Sequence, residues 1–190
     1  MAAVLKLEQA QVEDALKSVS TGDGAVVEIA NLNSPGQTVI SGSTAGVEAA
    51  SAALKELGGR VVPLKVSAPF HCSLMQPAAE RLAVDLAATA FGHPAFTIVC
   101  NVTAEPLADI SQAPELLTLQ VTGSVRWVEC VRKLHELGTT RYMEFGSGNV
   151  LTGLVGRILD DAPASAVTDP ASLEAALEEV TAWRFLPVPI

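Results

Sequence analysis

The sequence predicts an α/β protein: a ferredoxin-like βαββαβ unit followed by part of a parallel-sheet subdomain. Three observations carry this. Residues 1–66 show strand and helix periodicities in the order βαββαβ, the split pattern of that superfold. From residue 67 onward, strand and helix patterns alternate, which implies parallel strands joined by helical crossovers. The 190 residues are 49% apolar and only 17% charged, enough to build a core and too apolar for disorder.

In the first unit, MAAVLKL reads as a strand. Residues 9–19 align Val12, Ala15, Leu16 and Val19 on one helical face. AVVEIANLN is the next strand, and NSPG turns the chain, with Pro35 suited to the second and Gly36 to the third position of a type II turn. QTVISG is a strand. TAGVEAASAALKELG is a helix with Val47, Ala50, Leu54 and Leu57 aligned and Gly58 ending it. RVVPLKV closes the unit, and Pro63 marks it as an edge strand.

In the second part, residues 73–90 form a helix with Leu74, Leu82 and Leu86 on its apolar side, and FTIVCNV forms a short strand. Residues 112–119 and 125–137 are helical, the latter with Trp127, Val131 and Leu134 inward and Gly138 at its end. TRYMEF is a strand, GSGNVLTGLVGRIL a glycine turn entering a helix, and SAV a brief strand. Asp169 caps a last helix that has Pro170 at its first position. Only about three strands result, fewer than a covered parallel sheet normally has. The expected division is therefore 1–66 for the small subdomain, 67–181 for part of the large one, and 182–190 for an apolar, proline-broken tail.

Composition excludes several function classes. A net charge of −9 with no basic face argues against nucleic acid. The late acidic residues Asp160, Asp161, Glu174, Glu178 and Glu179 read as a solvated helix face. No apolar run reaches the roughly 20 residues of a membrane span, and MAAVLKLEQA lacks the regions of a signal peptide. A cytoplasmic protein is expected. Cys72, Cys100 and Cys130 make no disulfide framework, and the absence of CxxC and HExxH spacing argues against a metal site.

The chemistry-bearing stretch is VSAPFHCSLM, residues 66–75. Pro69 breaks secondary structure and delivers His71 just before a long helix, where it is either a general base or a structural histidine. Cys72 is adjacent, and neighbouring side chains seldom face each other, so it reads as a packing residue. No serine has glycine at both −2 and +2, so the chain offers a base without a nucleophile elbow. EFGSGNVLTGL, residues 144–154, lacks the P-loop lysine and the GxGxxG spacing, which favours a plain strand-to-helix turn. A cleft-lining turn stays open. Gln120, at a helix end, and Asn31 and Asn33, in NLNSPGQ, are ordinary polar residues by composition.

Together MAAVLKL, NLNSPGQTVISG, VSAPFHCSLMQPAAERL, NVTAEP, LQVTGSVRW and EFGSGNVLTGLVGRI resemble, in order, segments of the malonyl-CoA:acyl-carrier-protein transacylase family. The resemblance implies an α/β-hydrolase-like large subdomain, of which residues 67–181 are the C-terminal part, with an inserted ferredoxin-like subdomain at 1–66. It implies that His71 is the catalytic base and that the main-chain carbonyl of Gln120 orients it, where a triad would use aspartate. The family's serine lies in a GHSxGE motif ahead of everything matched here, as do its GQGxQ stretch and the arginine that grips the malonyl carboxylate. Two positions depart from the pattern: Ser147 stands where proline is usual, and Asn149 where lysine is common. In related polyketide acyltransferase domains phenylalanine before the histidine goes with malonyl, so Phe70 favours malonyl by excluding an α-methyl. Phe70 and Asn33 are the expected substrate-binding residues.

The implied function is transfer of malonyl from coenzyme A to the acyl-carrier-protein thiol in fatty-acid or polyketide biosynthesis. The partners are malonyl-CoA, acyl carrier protein, and a separate chain or missing segment that supplies the serine. No cofactor is expected beyond the coenzyme A thioester as substrate. The alternatives are a carrier-protein-binding module without chemistry, docking through Arg60, Lys65, Arg126 or Arg132, and an inactive fragment.

Overall fold

The structure is a computed structural model that describes residues 1–19 and 24–183. Residues 184–190, most of the WRFLPVPI tail, lie outside the described residues. The fold is α/β with one antiparallel and one parallel sheet. The chain divides into two compact units, Met1–Leu137 and Gly138–Ile190.

The first unit begins with β1 (Ala2–Leu5), α1 (Gln9–Ser18), β2 (Val27–Ser34), β3 (Gln37–Gly42), α2 (Thr44–Glu56) and β4 (Arg60–Pro63). The four strands form one antiparallel sheet in the order β2-β3-β1-β4. Alternation along each strand sends one set of side chains to the helices. Ala2, Val4 and Ile40 meet Val12 and Ala15 of α1 and Ala50 and Leu54 of α2 in one buried cluster. Gly36 takes φ +68° at the β2–β3 turn, the left-handed conformation that its place after Pro35 calls for. The Ser43 hydroxyl accepts from the Gly46 N–H at 3.2 Å and caps α2. That helix ends in a Schellman pair, Gly58 N–H to Lys55 O at 3.0 Å and Gly59 N–H to Leu54 O at 2.9 Å. Leu57 departs from its expected inward place. It is the C-cap residue, 52% exposed, because the helix stops before its side chain can turn onto the sheet. Pro63 costs no ladder bond, since β4 is an edge paired only with β1.

Strand β2 is the other edge, and it carries two register shifts, between Ile29 and Asn31 and between Leu32 and Ser34. Its outer side is not left open. Val125 N–H donates to Ala30 O at 2.8 Å, and Leu32 N–H donates to Val125 O at 2.9 Å.

The rest of the first unit is helical. A 3-10 turn (Ser73–Met75) runs into α3 (Gln76–Ala87), which packs on α4 (Ala113–Thr122), while α5 (Trp127–Glu136) packs on β2. Pro77 is accepted in the first turn of α3, where its missing N–H has no partner to lose. Leu74 is 42% exposed rather than inward, because it falls in the 3-10 turn and not on the helix.

FTIVCNV is not a strand. Cys100 N–H donates to Glu105 O at 3.0 Å and Leu107 N–H to Ile98 O at 2.8 Å, which folds the run back on itself around one Val99–Pro106 bridge. Apolarity alone does not make a strand; a neighbour must complete the ladder, and Pro106 has no N–H to extend it.

The second unit contains β5 (Tyr142–Phe145), α6 (Val150–Ile158), β6 (Ala164–Val167) and α7 (Pro170–Trp183). The two strands pair in parallel, Tyr142 opposite Ala164 through Phe145 opposite Val167. Leu154 and Val155 of α6 are buried. The Asp169 carboxylate accepts from the Ser172 N–H at 2.8 Å at the start of α7.

Candidate active site

His71 stands in the loop between β4 and α3 with φ +56°, a left-handed conformation that costs a non-glycine residue about 1 kcal/mol or more. Its ring is half-buried, and Nδ1 lies 2.9 Å from the carbonyl oxygen of Gln120. A carbonyl oxygen only accepts, so Nδ1 carries a proton, and in the neutral ring the lone pair is then on Nε2. Gln120 lies in the last turn of α4 and is half-buried. Within five residues of it the chain is tied to β2: the Ser124 hydroxyl bonds Ile29 O, and Val125 makes its two bonds to Ala30 and Leu32.

The other expected residues fall as follows. Phe70, which precedes His71 in the chain, is 42% exposed. Asn33 is half-buried in the second β2 bulge. Among the described residues no hydrogen bond joins Asn33 to His71 or Gln120. Cys72 is 0% exposed, and its thiol donates to Pro69 O at 3.1 Å rather than facing His71.

Three of the described serines are engaged elsewhere, Ser43 in its cap, Ser73 with Glu28 and Ser124 with Ile29. Among the described residues no hydroxyl or thiol is hydrogen-bonded to Nε2 of His71, and no cluster of His, Cys, Asp or Glu could hold a metal ion.

Two residues that matter here carry no signal in the sequence reading. Glu28, read there only as part of a strand, accepts from the Ser73 N–H at 2.9 Å and from its hydroxyl at 2.5 Å. The two are 45 positions apart, so no local pattern joins them. The second is Gly123, whose N–H donates to Leu119 O at 2.8 Å directly after Gln120's turn. A Cβ there would sit 2.8 Å from Val102 Cγ2 and 2.9 Å from the backbone oxygen of Leu119. Gly123→Ala is therefore expected to cost about 1–3 kcal/mol. That lowers Tm by about 2–4 °C per kcal/mol for a chain of this size, read in a thermal melt. An unchanged melt would show that this close approach is slack.

An apolar cavity of about 480 Å³ opens beside Gln120, lined among others by Phe91, Ile98, Val99, Leu107 and Leu116. No charged side chain lines it, so nothing in it would neutralise a carboxylate. Of the four cations named for docking, Arg126 is committed, donating to Thr103 O at 2.8 Å and pairing with Glu129, whereas Arg60, Lys65 and Arg132 are exposed.

In the second unit, the exposed turn at 146–149 joins β5 to α6. The Glu144 carboxylate accepts from the Thr152 N–H at 2.8 Å and its hydroxyl at 2.9 Å. The backbone N–H of Thr152 holds this carboxyl below the usual range. An internal anion thus already occupies the N-terminal turn of α6, which weighs against a phosphate cradle there.

No protein-family model matches the chain. Curated relatives do. The malonyl CoA-acyl carrier protein transacylase of Salmonella typhimurium is 41% identical over 180 residues, 94% of this chain and 58% of its own length. The enzyme of that name from Bacillus subtilis is 41% identical over 182 residues, covering 94% and 56%. Among solved structures, the malonyl CoA-acyl carrier protein transacylase of Clostridium perfringens superposes with a TM-score of 0.90 at 37% identity, over 96% of this chain and 57% of that one. A malonyl-transacylase solved in complex with its type II polyketide synthase acyl-carrier protein matches with a TM-score of 0.88 at 40% identity, over 94% and 57%. This chain thus spans a little over half the length of the relatives it matches.

Proposed function

From the fit of this chain to a C-terminal portion of the malonyl CoA-acyl carrier protein transacylase family, we propose that it carries the histidine half of a malonyl-transfer site. The single observation behind this is the 2.9 Å bond from His71 Nδ1–H to the Gln120 carbonyl, which leaves Nε2 free to take a proton. The serine comes from a segment outside this sequence. Residues 1–66, with their βαββαβ order, serve as the ferredoxin-like subdomain, and residues 67–181 as the returning part of an α/β-hydrolase-like one.

The reaction is ping-pong. The serine oxygen attacks the malonyl thioester carbonyl while its proton passes to Nε2 of His71. The C–S bond breaks, and coenzyme A leaves as its thiol with that proton. The acyl-carrier-protein thiol then gives its proton to Nε2 and attacks the serine ester. Malonyl passes to sulfur, and the proton returns to the serine oxygen. Gln120 holds the ring in the tautomer both half-reactions use. Phe70 walls the space beside the imidazole and disfavours an α-methyl, and Asn33 contacts the substrate from the β2 bulge.

The test is complementation. This chain, mixed with a separately produced segment bearing a GHSxGE serine, should move malonyl from coenzyme A to a holo-acyl-carrier-protein thiol, read as a mass increase of the carrier. Neither part alone should do so. Salt-sensitive carrier binding without transfer by the mixture would favour a binding module instead, and the catalytic reading would fall.

A further inference from the structure

We propose that Glu28 is a positioning residue for His71, acting through Ser73 to hold the histidine loop on the same strand that holds the Gln120 turn. The inference deepens the reading of His71 as a base and rests on it.

The loop around His71 has every reason to relax. Its backbone sits at φ +56°, and five residues before the helix it follows a proline-broken stretch with no strand or helix of its own. Cys72 steadies it from within, through its thiol bond to Pro69 at 3.1 Å. That bond closes a turn of the loop but ties it to nothing outside. The tie outside is Glu28, whose two carboxylate oxygens take the N–H and the hydroxyl of Ser73, two residues after the imidazole. Hydrogen bonds to a charged group are the stronger kind.

Glu28 is itself fixed. It pairs with Ser41 inside the β2–β3 ladder, while its neighbours Val27 and Ile29 pack against the hydrophobic cluster. Strand alternation therefore turns its carboxylate to the opposite face, towards the loop. One and two positions farther along the same strand, Ile29 O and Ala30 O receive Ser124 and Val125, just beyond Gln120. Five consecutive residues of one strand, 28–32, thus set both ends of the His71–Gln120 bond. Removing the Glu28 end leaves the loop with the buried Cys72 and the imidazole bond but without its tie to β2.

The readout is the tautomer of His71 in the intact chain, measured from the nitrogen shifts of its ring in ¹⁵N-labelled protein and assigned with His71→Gln. The wild type should show the Nδ1–H form. Glu28→Ala should lose much of it, with a severalfold rise in the Nε2–H form that free imidazole prefers. Glu28→Gln should largely restore the wild-type state, since an amide can still accept from the Ser73 N–H and donate to its hydroxyl. If Glu28→Ala folds and keeps the wild-type tautomer, the proposal is overturned. If it does not fold, Ser73→Ala decides, because it removes only the hydroxyl bond. A measurable Nε2–H population then supports the proposal, and a wild-type spectrum overturns it. No turnover is needed, so failure of the transfer reading and failure of this one are separately visible.

Discussion

His71→Ala lowers malonyl transfer by the complemented site roughly 10²–10⁴-fold, the range a positioned general base contributes. The loss should appear in kcat and kcat/KM alike, as expected of a group that acts on the proton in flight and not on the bound thioester. Among the described residues the half-buried ring makes one polar bond, to Gln120, so its removal should leave the fold's core intact and the melting profile close to that of the wild type. Single-turnover acylation of the serine, followed by mass, separates the first half-reaction from the second and should be slowed as much as overall transfer. Undiminished transfer by His71→Ala would refute the assignment of the base.

Leu54→Ala is the substitution expected to hurt stability most among single truncations of α2. Leu54 is 0% exposed in the cluster with Val4, Val12 and Ile40, and its loss leaves a cavity that the sheet behind it is too stiff to close. The cost is about 2–5 kcal/mol. That corresponds to a fall in Tm of roughly 4–20 °C. The control is Leu57→Ala, one turn on. Leu57 shares the same apolar periodicity but is 52% exposed, and its truncation should change stability by no more than about 0.5 kcal/mol. Equal effects at the two positions would contradict the packing described.

Those two leucines mark how far periodicity can be read. Helical spacing assigned both to one face, and only the end of α2 separates them. The Schellman bonds at Gly58 and Gly59 stop the helix before Leu57 can reach the sheet. The FTIVCNV run shows the same limit for strands. Seven apolar-rich residues have strand propensity, yet Phe96 is 75% exposed and Ile98 39%, because strand formation depends on a partner that local composition does not contain.

The candidate site divides along a similar line. The histidine was legible, because a proline-broken loop before a long helix is a local pattern. The acceptor was not legible from composition, because it is a main-chain carbonyl, identical in chemistry at every residue. Only the family resemblance singled out Gln120. Glu28 left no trace at all, since its partner lies 45 positions away and a glutamate in a strand is an ordinary surface residue.

By itself, then, the sequence determined the order of strands and helices in residues 1–66, the turn at Gly36, the cap at Asp169, and the place of His71 at a loop–helix junction. Each of these depends on dihedral preference or burial period within a few residues. The tertiary structure alone decided that the edge of β2 takes up Val125 and that His71 Nδ1 meets the Gln120 carbonyl, 49 positions away in the chain. Hydrogen bonds between distant backbone groups are set by which strand edge is left unpaired, and that is a property of the assembled sheet.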